Sequence, residues 1–434
     1  MGTIMNFDAF CRALRLNEAE AERIYPGFDA SAREFAAAKG QETLTPEYLD
    51  MVLPWIGFEK ADEIALRSLA ERIQNDPVAA LLFFHAQRTL FEGEELKAIC
   101  SWPDFRAYLG AEHQLFYLLL SCAVFAPTLR NYRRAGLPEH PVRSIGRKIF
   151  GSNWINVQAF GVPGYDRGAL YWLRHYVDLK VIPVGRFEFR HGKAATYGVE
   201  VYRRRKDGVL MTLFGPAPCG FRSDGSACPA DDPEAVTTGG VIRTGSCVIG
   251  HALAPDTGYS MGVVKLPLDE WEAIITASTP VLEWHIPGGG GMTPEITRAS
   301  LEEGLEFFDR HFPALPSPVA VMCSSWAFWH RYEELRPQAN PALVMRECCE
   351  FDRPLRNYSG FYFIFGARTP DDLPGPPRRD TSIRRTMLDI LASCGYLSSG
   401  GVYILREDLG KWGTSPYRTL RRCRDWRRYL ITEA

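Results

Sequence analysis

The chain has 434 residues, with 50 Lys plus Arg against 52 Asp plus Glu and a formal net charge of −2. That balance offers no global field to nucleic acid or an anionic membrane, and the 46% hydrophobic share excludes a disordered chain. The length predicts two or three domains. The opening MGTIMNFDAF lacks a basic stretch followed by an apolar core, which argues against a secretory signal. Asn6 also stands where a myristoylation motif wants Ser or Thr. Eleven cysteines without a C-x-x-C spacing give neither a zinc framework nor a disulfide scaffold, so buried thiols in a reducing cytoplasm are expected.

Residues 1–137 space their apolar side chains at three and four almost throughout, as in NFDAFCRALRL, DEIALRSLAERI and PVAALLFFHAQRTLF. This predicts a helical N-terminal domain. The apolar run at 115–127, LFYLLLSCAVFAP, is too short to span a bilayer and reads as a buried helix. No membrane partner is expected. From Gly185 the period changes: GRFEFRH alternates, and YGVEVYRRRKDGVLMTLF reads as a hairpin turning at Asp207-Gly208. Residues 215–260 read as long loops with short strands.

MGVVKLP predicts a strand, followed by a short helix around Glu270–Ala277. Strands are then expected at Val281–Ile286, in PVAVMCSSW, in ALVMRECCEF and in FYFIFGA, with GGVYIL closing the sheet. Helices are expected at 294–312, around Phe328–Leu335 and at Thr381–Cys394, the last starting from Asp380 or Thr381 as N-cap. The alternation indicates an α/β domain (α+β for the whole chain) over 138–434, with its core at 261–405 and parallel central strands.

The most informative stretch is VLEWHIPGGGGMTPEITRASLEEGLEFFDRHF, residues 281–312. Pro287 ends the strand, Gly288, Gly289, Gly290 and Gly291 strip the loop of side chains, and Thr293 with Pro294 starts a helix. A bare loop running into a helix N-terminus suits an anion such as a phosphate.

These residues, together with KLPLDEWEAIITASTP and VMCSSW, resemble the bacterial proteins that pair an N-acyltransferase N-terminal domain with a GNAT-like C-terminal domain. LRNYRRAGLPEHPVRSIG, RHYVDLKVIPVGRFEFR and DTSIRRTMLDILASCGY extend the resemblance, which spans about residues 100–405. It implies a helical domain followed by a GNAT-like mixed-sheet domain, and acyl transfer from acyl-CoA to a small-molecule amine without a metal. Residues 281–287 and 318–326 would be the splayed strand pair that admits the pantetheine arm. Gly288–Gly291 and Thr293 would be the CoA-binding loop and helix start. The usual loop pattern of Arg or Gln with spaced glycines is absent, and Glu295 in the first turn would repel a pyrophosphate there.

His285 suits a general base because its ordinary pKa lies near neutrality. Ser325 or Cys323, near the end of the following strand, would serve the leaving sulfur. Glu295 and Trp326 are expected to contact substrate. A covalent route with Cys323 as nucleophile and His285 as base is a second reading, and a satisfied histidine beside a core cysteine is the plain structural one. The non-catalytic alternative is a small-ligand-binding protein that retains the fold. Gly185 and Arg186 offer an anion contact, with a structural role the plainer reading. The basic, aromatic tail around Arg418, Arg421, Arg422, Arg424, Arg427 and Arg428 reads as a solvated helix; nucleic-acid binding is not expected.

Overall fold

The computed structural model describes residues 4–38, 40–215, 217–418 and 424–431. The chain divides into two compact units, residues 1–183 with 287–289, and residues 184–286 with 290–434.

The first unit is helical. Its starts are written in the sequence: Asp76 accepts from the backbone N–H groups of Val78 and Ala79 at 2.9 and 3.2 Å, and Pro77 fills the first helical position. The helices Pro77–Phe91 and His113–Cys122 bring Leu82, Phe83, Phe116 and Leu118 into the core. The run Arg106–Arg134 is long and apolar enough to cross a membrane by composition, yet 72% of its most apolar window is buried within the fold. His85 is buried between the Ser31 hydroxyl at 2.9 Å and the Ile24 carbonyl at 2.6 Å. Burial pushes its pKa down from 6.5 to about 4, so it is a neutral structural histidine. The helical unit passes residue 137, since the helices Gly146–Phe160 and Tyr171–Val177 also belong to it.

The second unit is built on strands. In chain order these are β1 (Ile182–Val184, where the chain enters the unit), β2 (Phe187–Lys193), β3 (Val199–Arg204), β4 (Leu210–Phe214), β5 (Cys219–Phe221) and β6 (Ala227–Cys228). There follow β7 (Thr237–Gly239), β8 (Ile242–Arg243), β9 (Cys247–Leu253), β10 (Ser260–Pro267) and β11 (Trp271–Ile275). The last four are β12 (Pro280–His285), β13 (Ala320–Ser325), β14 (Cys349–Asp352) and β15 (Gly400–Leu405). One six-stranded sheet runs β1-β2-β12-β13-β15-β14, and a second runs β10-β9-β4-β3-β11 with β8 beside β9. A small sheet, β6-β5-β7, carries the 219–239 excursion.

One face of the first sheet meets the second sheet, where Tyr403 Oη lies 2.7 Å from Thr212 Oγ1. The other face carries the helix Pro294–His311, whose Leu301, Leu305 and Phe308 are buried. Gly304 permits the approach, because a Cβ there would lie 2.7 Å from the Phe189 ring.

Several expectations are corrected. In the first sheet β12–β13 is parallel, whereas β12–β2, β13–β15 and β14–β15 are antiparallel. Trp271–Ile275 is a strand paired with β3, not a helix, because the segment is too short to hold a helix alone and both Trp271 and Ile275 bury on the sheet. FYFIFGA forms the helix Phe361–Phe365, bracketed by Gly360 and Gly366 at φ +84° and +80°. In ALVMRECCEF a helix, Asn340–Met345, precedes the strand. GGVYIL lies between β13 and β14 rather than closing the sheet.

Candidate active site

The parallel pair sets the site. β12 and β13 are registered at Val281↔Ala320, Leu282↔Val321 and Glu283↔Met322, and there the ladder stops. Both strands continue: β12 pairs with β2 through His285, and β13 pairs with β15 through Ser325. The two strands therefore part after Glu283 and Met322. The Tyr197 hydroxyl donates to the Met322 carbonyl at 3.1 Å, at that point of divergence.

Strand alternation decides which side chains face one another. Glu283 and His285 share a face, opposite Arg190 and Glu188 of β2. Glu283 has a side chain only 3% exposed and accepts from Arg190 at 2.8 Å (Nε) and 2.5 Å. Burial raises its pKa and the Arg190 charge opposes the rise. His285 Nε2 lies 3.9 Å from Glu283 Oε2, and its side chain is one-third exposed, at 32%. The imidazole thus stands at the edge of a buried ion pair, with Nε2 buried and the exposed third of the side chain on its other edge.

Continuing the register puts Ser324, not Ser325, opposite His285 across the gap. Ser324 is exposed, and sequence reasoning missed it by one residue. Cys323 and Ser325 lie on the other face, with Trp284, so the expected convergence of His285, Cys323 and Ser325 does not occur. Burial, reinforced by the Glu283 charge, pushes the Cys323 thiol far above its ordinary value, which leaves no thiolate for the covalent route. Ser325 caps the next turn, accepting from the Ala327 N–H at 3.2 Å. Trp326 packs against Tyr332 at 5.8 Å between ring centres, and its ring fills the space a Gly360 Cβ would need. Glu188, Glu283 and Arg190 were also missed, although charges inside otherwise apolar alternating strands are the available signal.

After β12 the chain turns through Gly289 and Gly290, both at positive φ, +73° and +75°. Arg186 Nε donates to the Gly291 carbonyl at 2.9 Å, so this arginine braces the loop. Thr293 caps the helix as expected, accepting from the Ile296 N–H at 3.3 Å. The exposed Glu295 carboxyl is held below its usual range by bonds from its own backbone N–H and the Thr293 hydroxyl. A carboxylate thus occupies the helix start.

Beside it opens a cavity of about 660 Å³ lined by Arg298, Arg346, Leu343, Glu347 and Trp412 among others. It lies between the helices Pro294–His311 and Asn340–Met345 and the 412–415 segment.

A further polar cluster lies on β14. His330 Nδ1 is 3.1 Å from Glu350 Oε2, and Arg418 donates to Glu350 and Glu333, both at 2.7 Å. His330, Glu333 and Glu350 have the spacing of a metal-ligand set, within 4.8 Å, but the Arg418 guanidinium already bridges the two carboxylates. Burial pushes Glu350 up to about 8 and Asp352 up to about 7. Arg418 is therefore a tether. Tyr417 is buried, Arg428 pairs with Glu270 at 2.8 Å, and Arg424–Tyr429 is a 3₁₀ turn rather than part of a helix. Arg421 and Arg422 lie outside the described residues.

The GNAT-like C-terminal domain family matches residues 181–403, more than half of the chain. An acyltransferase solved with CoA and 10C-teicoplanin superposes with a TM-score of 0.56 at 17% identity, over 92% of this chain and 99% of that one. An acyltransferase solved with decanoyl-CoA gives 0.54 at 18% identity, and a mutant acyltransferase with octanoyl-CoA gives 0.55 at 17%, with the same coverage. At such identities the likeness is one of fold. No curated protein matches the chain. The chain belongs to the family of proteins with a GNAT-like C-terminal domain.

Proposed function

We propose that the protein transfers an acyl group from an acyl-CoA thioester to an amine. One observation carries the reading: β12 and β13 part after Glu283 and Met322, with His285 on one lip of the gap and Ser324 on the other. An acyl thioester entering there meets a base and a hydroxyl from opposite sides. The solved structures that share the fold are acyltransferases holding CoA, octanoyl-CoA or decanoyl-CoA, which supports the donor class. The teicoplanin ligands in two of them are compatible with a small-molecule acceptor.

In this mechanism the amine nitrogen attacks the thioester carbonyl and its proton passes to His285. The new C–N bond forms as the C–S bond breaks, and the proton ends on the departing thiol. Glu283, anchored by Arg190, stabilises the imidazolium. Ser324, whose hydroxyl donates to the Gly400 carbonyl at 3.4 Å in the free protein, turns to donate its hydrogen bond to the leaving sulfur. Backbone N–H groups released where the ladder ends polarise the carbonyl. The CoA phosphates meet Arg298 and Arg346 rather than the helix start, which Glu295 fills.

Free-thiol release from a panel of acyl-CoAs with amine acceptors tests the reading, with Ser324→Ala beside wild type. Thiol release that Ser324→Ala slows supports it. Absence of both release and thermal stabilisation by any acyl-CoA contradicts it and leaves the ligand-binding alternative.

A further inference from the structure

The cavity beside the Pro294–His311 helix has one wall from outside the family match, which ends at residue 403. That wall is Trp412 with Gly413 and Ser415, and Trp412 is its large side chain. We propose that Trp412 is the residue that selects the nucleotide end of the donor, acting as the platform for its purine; this rests on the acyl-CoA reading above.

Three observations converge. First, the lining sets apolar surface beside guanidinium groups: Trp412, Leu343 and Ala299 sit with Arg298 and Arg346, and the carboxylates of Glu295, Glu302 and Glu347 border the same cavity. A purine carrying phosphates presents the complementary chemistry, a flat π-face and oxyanions. Arg298 gives Nε to Glu302 at 2.9 Å, and Arg346 gives Nε to Glu333 at 3.3 Å and a terminal nitrogen to the Pro337 carbonyl at 2.6 Å, so each guanidinium keeps N–H donors for a phosphate. Second, the indole is held in place. Glu347, itself buried, accepts from the Gly413 and Ser415 N–H groups at 2.7 and 3.2 Å and fixes the turn that carries Trp412. Third, Trp412 is a poor choice for packing alone. Its Nε1 is buried without a hydrogen-bond partner among the described residues, a desolvation cost that Leu or Phe would not incur.

The test uses titration calorimetry on the full chain with CoA, adenosine 3′,5′-bisphosphate and pantetheine as probes. Trp412→Leu removes the platform. Ala299→Phe, at an exposed position on the opposite wall, fills the slot without touching the tail. The proposal expects both variants to weaken CoA and the bisphosphate by roughly tenfold, the scale of one base–aromatic stack. Pantetheine binding and the melting midpoint should not fall. Wild-type affinity for CoA and the bisphosphate in both variants overturns the proposal, as does a wild-type protein that binds CoA no better than pantetheine. A wild-type protein that binds none of the three overturns the acyl-CoA reading itself, and this proposal with it.

Discussion

Arg190→Met tests the electrostatics under the candidate base. Arg190 donates twice to Glu283, whose side chain is 3% exposed. Removing one partner of a buried pair costs about 3–5 kcal/mol. Arg190 is itself 32% exposed, so water reaches the vacated position and the lower end, about 3 kcal/mol, applies. For a unit of this size that lowers the melting midpoint by about 6–12 °C. The pH dependence separates charge from packing. Burial already raises the Glu283 pKa, and loss of Arg190 raises it further. A carboxyl whose folded pKa lies above its unfolded value stabilises the fold below the unfolded pKa, and that contribution is lost as pH rises through the folded one. The defect is therefore larger at pH 8 than at pH 5. Arg190→Met/Glu283→Gln, which removes both charges, recovers most of the loss. The assay is urea unfolding at the two pH values. An equal defect at both, with no recovery in the double variant, refutes the buried-pair account.

Native-state alkylation with iodoacetamide followed by peptide mapping should label Cys394, the exposed thiol among the described cysteines, and spare Cys323; rapid labelling of Cys323 would revive the covalent route. Because His85 titrates near 4 in the fold and near 6.5 once unfolded, stability should be lost as pH falls from about 6.5 to 4, by about 3 kcal/mol. A proton-coupled NMR titration that puts His85 above 6 contradicts this. Glu295→Gln removes the carboxylate from the helix start, so the KM for acyl-CoA should fall by about two- to fivefold, the scale of one charge at a helix end. An acyl pantetheine lacking the nucleotide should be unaffected, and an unchanged KM for acyl-CoA would remove Glu295 from the donor site.

Much of this was legible in the residues, and the failures have physical causes. The hairpin at Asp207-Gly208, the strand expected at Val281–Ile286 and found at Pro280–His285, and the Thr293 cap depend on local chemistry, which a sequence carries directly. FYFIFGA misled because aromatic and β-branched residues favour strands, while two flanking left-handed glycines turn it into one helical turn. Trp271–Ile275 misled because its partner, β3, lies far away in the chain. The site failed by parity. His285 was readable as a polar end to an apolar strand, but the choice between Ser324 and Ser325 rests on the β12–β13 register, and a shift of one residue reverses the face. Trp412 was readable only as an aromatic of the basic tail and Glu347 gave no motif, since the turn that joins them exists only in the fold.

The central claim is that His285 at the parted strands is the base for acyl transfer. Steady-state thiol release from an acyl-CoA with an amine acceptor, for wild type and His285→Ala across pH 5.5–9, tests it most directly. The account predicts that kcat/KM falls about 10²- to 10⁴-fold in the variant. The acid limb of the wild-type profile should vanish while acyl-CoA affinity persists. Wild-type rates and an unchanged pH profile in His285→Ala would contradict it.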